Sequence, residues 1–391
     1  MKRLISFGLL IVTAVTLFGA SEELEMYTRL YNLSTSGADR LGIINQVAES
    51  NISDSVEFFT MALDRLVTSY PTTSGSTELG IADESARRLA GLLGDAKYLP
   101  AAGNLWRVAN SFSNPLVRGD AISALGKIEA TAFLPQIVKI LTDLNETPTQ
   151  DRLAGEQVAF SAIVALESFR DASGYLPVFF ASADSSWYTE RVKNRARAAY
   201  PRILEDPSEP LTGVIHSPAY PYATKYMALQ AVERTQVPED KKAAVALAAF
   251  GEAWRASTSD QQQRAILINI RKLSIDMIRR YGTEDAAVYP LLERSYKEGV
   301  DEEEKLGTVA ALSALATDES AGLLGSFLST INIKLQDGSL TQGDERLIRA
   351  IIPALGNTGR PNAASVLRSV LTLDWTNRVK IIAREALQKV Q

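Results

Sequence analysis

The stretch Ala121–Pro135 reads AISALGKIEATAFLP, and its outline recurs on both sides of it. Ser85–Pro100 reads SARRLAGLLGDAKYLP, and Ala162–Pro177 reads AIVALESFRDASGYLP. Each copy has small residues around a leucine, then a polar corner, then Leu-Pro. The anchor leucines Leu89, Leu125 and Leu166 stand 36 and 41 residues apart. Weaker copies carry Leu229, Leu273, Leu315, Leu355 and Leu387, spaced 44, 42, 40 and 32 residues. The gap of 63 between Leu166 and Leu229 holds an irregular unit around 196–204. A period near 40 with two helical segments per repeat constrains the fold strongly. One such unit cannot bury its apolar face alone, so neighbours must stack.

Both halves of the repeat have helical spacing. Val117, Ala121, Ala124, Leu125 and Ile128 fall on one stripe, and Leu134, Ile137, Val138 and Leu141 on another. Small residues let backbones approach, and the larger ones fill the seam. The expected fold class is therefore all-α, an α-solenoid of about nine stacked antiparallel helix pairs. Residues 21–70 are expected as N-terminal capping helices, 81–204 and 217–391 as repeats, and 205–216 as a hinge. Polar segments at 71–80, 142–156 and 335–344 are expected as linker and long loops. Glu302–Glu304 after Asp301 mark a helix N-terminus, where negative charge suits the dipole.

These features resemble the HEAT-repeat family of α-solenoids, in its bacterial HEAT-like branch, from about Ser36 to the C-terminus. Asn114, Pro115, Val117 and Arg118 match the turn that precedes the small-residue run in many HEAT repeats. The resemblance implies stacked helix pairs with a concave face for partners. It names no partner.

Residues 1–20, MKRLISFGLLIVTAVTLFGA, have two cations, an uncharged apolar run from Leu4 to Phe18, and small residues at the end. That is the layout of a secretory signal peptide, and the run is short for a membrane span. The chain has no cysteine, so neither a lipoprotein anchor nor a disulfide is available to it. The expected location is the periplasm or beyond, with no stable membrane span after cleavage. Loss of Lys2 and Arg3 leaves 39 basic against 46 acidic residues, a net charge of −7. That sign argues against a nucleic-acid partner.

Catalytic signatures are scarce. His216 is the single histidine, so a multi-histidine metal site is impossible. No G-x-S-x-G elbow and no glycine-rich phosphate loop occurs. No catalytic residue, cofactor or metal is expected, and the chain is read as no enzyme. The expected function is a non-enzymatic protein–protein interaction scaffold of the bacterial cell envelope. The alternatives are an envelope enzyme with a carboxylate-based site in the groove, and a self-associating structural protein. Aromatic and basic clusters supply the candidate partner contacts: Arg191, Arg195, Tyr220, Tyr222, Arg271 and Arg279.

Overall fold

The computed structural model describes residues 20–50 and 52–391. The expected leader, 1–20, lies outside them except for Ala20. Among the described residues there are twenty α-helices and no strand, and the chain is an all-α solenoid. Its contacts divide between Leu204 and Glu205 into two units.

The first unit contains α1 (Ala20–Leu33), α2 (Gly37–Ser50), α3 (Ser55–Ser69), α4 (Ser76–Asp95), α5 (Ala102–Ser111), α6 (Pro115–Lys127), α7 (Leu134–Glu146), α8 (Arg152–Phe169), α9 (Tyr175–Ala181) and α10 (Glu190–Ile203). Each odd helix packs on the even helix that follows it. The even helices then stack in one row, α2 to α4 to α6 to α8 to α10.

The second unit repeats the plan. It contains α11 (Ser208–His216), α12 (Tyr222–Arg234), α13 (Glu239–Arg255), α14 (Gln261–Tyr281), α15 (Val288–Glu298), α16 (Glu302–Leu315), α17 (Asp318–Gln336), α18 (Gln342–Thr358), α19 (Ala364–Thr372) and α20 (Asn377–Lys389). Five pairs form here too, with α12, α14, α16, α18 and α20 as the stacked row. Ten pairs in all compare with the nine or so expected.

One corner is built four times. A buried leucine, Leu93, Leu125, Leu166 or Leu355, is followed four residues later by a left-handed residue: Lys97, Glu129, Arg170 or Gly359. A three-residue 3₁₀ turn starts two residues further on, at Leu99, Thr131, Ala172 or Pro361. The next α-helix begins three residues after that. The left-handed residue ends the helix and turns the chain toward the next pair.

This corner shifts the repeat frame inferred from sequence. The corner leucine of the first clear repeat is Leu93, although Leu89 is equally buried. In the second unit Leu312 is buried and precedes left-handed Ala316, whereas Leu315 is half-buried. The shared corner also lies between pairs, not within them: α6 packs on α5 before it, and α7 on α8 after it.

Loops are shorter than the polar composition suggested. In the expected linker 71–80, α4 already starts at Ser76, and α8 starts at Arg152 inside the expected loop 142–156. In the third expected loop, α17 runs to Gln336 and α18 starts at Gln342. The stretch expected as a hinge, 205–216, includes α11, which packs on α12 and α13. Asp301 caps α16 by accepting the Glu303 amide at 2.8 Å.

Candidate functional site

The six residues expected to contact partners divide between the two units. Arg191 and Arg195 lie on α10, in the first unit. The Arg191 guanidinium stands 4.6 Å from the centre of the Phe160 ring. Arg195 and Arg202 both bind the Glu167 carboxylate. Burial pushes the Glu167 carboxyl up, but these two guanidinium groups outweigh it and hold it below its ordinary 4.5. Arg195 is mostly covered by this bridge.

Tyr220, Tyr222, Arg271 and Arg279 belong to the second unit. Tyr220 is half-buried in the turn before α12. Tyr222 opens that helix and lines a small crevice with Lys225, Glu252 and Leu267. Arg279 is exposed and pairs with Asp276 at 2.7 Å.

Arg271 corrects the sequence reading most clearly. It is 8% exposed, and no partner can reach its guanidinium. Its Nε and Nη2 donate to the two oxygens of Glu304 at 2.7 and 3.0 Å. Trp254 lies beneath it at 4.2 Å, with Arg294 also over that ring at 4.5 Å. Ser295 Oγ donates to Glu304 and accepts from the Trp254 indole, each at 3.0 Å. A buried carboxylate is tolerable only with such partners. The cluster ties α13, α14, α15 and α16 together.

Beside this cluster a cleft of about 940 Å³ opens between α13 and α15. One face of α13 lines it over its whole length, from Glu239 to Arg255. That face carries Ala243, Ala244, Leu247, Ala248 and Gly251, spaced so that they share one helix side. The two helices touch at one end, where Arg294 donates to the Trp254 carbonyl at 3.2 Å. There a Cβ on Gly251 would stand 4.0 Å from Leu291. Toward the other end the wall is the turn Gly282–Asp285 with Tyr281.

The two ends differ in charge. Glu239, Asp240, Glu284 and Asp285 surround the open end, and none forms a direct side-chain ion pair among the described residues, although Asp240 acts on Lys241 at longer range. Asp285 instead caps the next helical turn through the Ala287 amide, at 2.9 Å. Cations nearby are engaged elsewhere. Lys241 binds Asp206, and Lys242 donates to the Glu233 carbonyl while lying over Tyr281. At the narrow end Glu252 accepts from Arg255 at 2.7 Å and meets His216 Nδ1 at 2.9 Å.

The sequence reading missed this cleft. Its signal is KKAAVALAAFGEAW in α13, where alanine and glycine occupy the outward stripe as well as the packed one. Small residues usually serve helix packing, and on this outward side they face the cleft. Among the described residues no group of three or more His, Asp or Glu is placed to hold a metal. No described helix is long and apolar enough to cross a membrane.

No family model matches the chain, and no curated protein matches it. Solved structures similar to it include two of note. One is human deoxyhypusine hydroxylase, 12% identical, covering 85% of this chain and 97% of that one, with a TM-score of 0.26. The other is an engineered protein, 17% identical, covering 94% and 98%, with a TM-score of 0.35. The first corrects the expectation that this chain is no enzyme. That structure is of an enzyme, and the expectation is withdrawn. Likeness at this level assigns it no activity either.

Proposed function

We propose that this chain is an exported HEAT-like repeat protein of the bacterial cell envelope that binds a protein partner in the cleft along α13. The observation that carries the reading is the cleft itself. It has an apolar floor of small residues, a defined narrow end, and unpaired carboxylates at its mouth. Here one side of α13, at Ala244, Leu247 and Ala248, stays uncovered along the cleft. Repeat arrays use extended surfaces of this kind for binding.

The HEAT-like assignment is supported by the recurring corner and by the turn before α6. Asn114 caps that helix at the Leu116 amide, and Arg118 donates to the Ala109 carbonyl of α5 at 2.9 Å. Export is supported by the leader pattern of residues 1–20. Fractionation of cells expressing a C-terminally tagged chain tests location, and in-cell cross-linking of the same strain tests binding. The expected result is a chain shortened by about 20 residues in the periplasm or medium, linked to one abundant envelope protein. A full-length cytoplasmic chain would overturn the export reading, and no specific protein adduct would overturn the binding reading.

A further inference from the structure

The charge and shape of the α13 cleft say more about what fits it, and this step rests on the binding reading above. The floor is apolar and shallow, made of alanine, glycine and two leucines, Leu247 and Leu291. Shallow floors of this kind accept the ridge of an amphipathic segment. The cleft narrows near Gly251 and Leu291, with Arg255 and His216 lining it beyond. At its other end stand Glu239, Asp240, Glu284 and Asp285.

Those carboxylates fix the sign of the occupant. Of the cations nearby, Lys241 pairs with Asp206 and Arg280 with Glu233 and Asp276, while Lys242 donates only to the Glu233 backbone carbonyl, so the four carboxylates leave the mouth net negative. A ligand cation would therefore meet uncompensated negative charge. An anionic or purely apolar occupant would leave that charge unanswered. The volume of about 940 Å³ lies at the upper end of compact ligand sites and suits a short peptide segment.

We infer that the cleft binds a short amphipathic peptide segment of a partner protein, its apolar side on Ala244, Leu247 and Ala248 and its Lys or Arg end at the Glu239–Asp285 mouth. The arrangement makes the mouth a steering feature and the floor the source of adhesion. Binding should weaken as salt rises, because the mouth carboxylates are exposed.

Fluorescence anisotropy with a labelled 12-residue peptide tests this against the chain from Ser21 onward. The peptide has a leucine/alanine stripe and two lysines at one end, and its control has two glutamates instead. The lysine peptide should bind at least about tenfold more tightly than the control. The triple change Glu239→Gln, Asp240→Asn and Glu284→Gln should remove that preference. These side chains are exposed and unpaired, so folding should survive. Ala244→Trp, also at an exposed position, should block both peptides with an unchanged helical circular dichroism spectrum. Equal binding of both peptides, or binding unaffected by Ala244→Trp, would overturn the inference. Cross-linking from the cleft in cells separates the two levels. A protein captured there while the lysine peptide fails to bind discards the cationic segment and keeps the binding reading. Failure of both discards both.

Discussion

Gly126 of α6 lies so close to α8 that a Cβ on it would stand 2.5 Å from the Cα of Ala165. The contact is part of a rule. Gly94 faces Ala124 and Gly356 faces Ala386 in the same way, and a Cβ on either would come within 3.2 Å of the alanine Cα. In all three cases the glycine follows a corner leucine, and the alanine precedes the next repeat's leucine. The Ala-Leu-Gly spelling thus joins one repeat to the next: its alanine touches the unit before, and its glycine the unit after. Where glycine is missing, the contact changes type. Ser313 donates to the Ala354 carbonyl at 3.4 Å, and Glu167 binds Arg195 and Arg202.

Gly126→Ala should therefore destabilise the chain, by about 1–3 kcal/mol, because backbone on both sides must move. Gly91→Ala, in the middle of α4 with nothing within 4 Å of the added Cβ, should stabilise by about 0.5–1 kcal/mol. Urea unfolding of the two variants checks this. Equal effects would mean that only helix propensity is at work.

The Arg271–Glu304 pair yields a second prediction. Glu304→Leu leaves a buried guanidinium unpaired and should cost about 3–5 kcal/mol. Adding Arg271→Met to it removes the orphaned charge and should restore most of that loss. A double variant no more stable than Glu304→Leu alone would show that the pair itself is not the source. Double-mutant unfolding curves measure it directly.

Acid should act through the depressed carboxyls, Glu167 and Asp206 among them. Arg195 and Arg202 hold Glu167 below its ordinary 4.5 against the effect of burial. A hydrogen bond from Lys241, then one from Ser208, holds Asp206 at about 2, against an ordinary 3.8. Both folded values lie below the unfolded ones. Their stabilisation is therefore complete above 4.5 and 3.8 and is lost as pH falls through the folded values. Melting temperature should fall on acidification below 4.5, and less steeply in Glu167→Gln. Parallel pH profiles for wild type and variant would contradict this.

Much of the fold was legible because helical periodicity and small-residue runs recur. Leu125, Leu166 and Leu355 were identified as anchors, and all three are fully buried. The register slipped at Leu89 and Leu315 for a physical reason. Leu89 and Leu93 lie one turn apart on the same buried face, and only the left-handed corner distinguishes them. That corner uses Lys97, Glu129 and Arg170, residues that carry no glycine signal. Leu-Pro misled further, since Leu99-Pro100 sits in a 3₁₀ turn while Leu134-Pro135 opens α7.

The site was less legible. Arg271 reads as a surface cation until Glu304 is brought beside it from 33 residues away. Glu304 was read through the helix dipole alone, and its burial depends on a partner the local sequence does not show. The cleft depends on what fails to cover α13, and no local pattern records an absent neighbour.

The most direct test of the account places a photo-reactive residue at Ala244, on the cleft floor, and at exposed Arg88 of α4 in a separate strain. Irradiation in cells is followed by identification of the adducts. The account predicts one abundant protein linked from Ala244 and absent from Arg88, with the adduct lost when Glu239, Asp240 and Glu284 are neutralised. The same adducts from both positions, or none from Ala244, would contradict it.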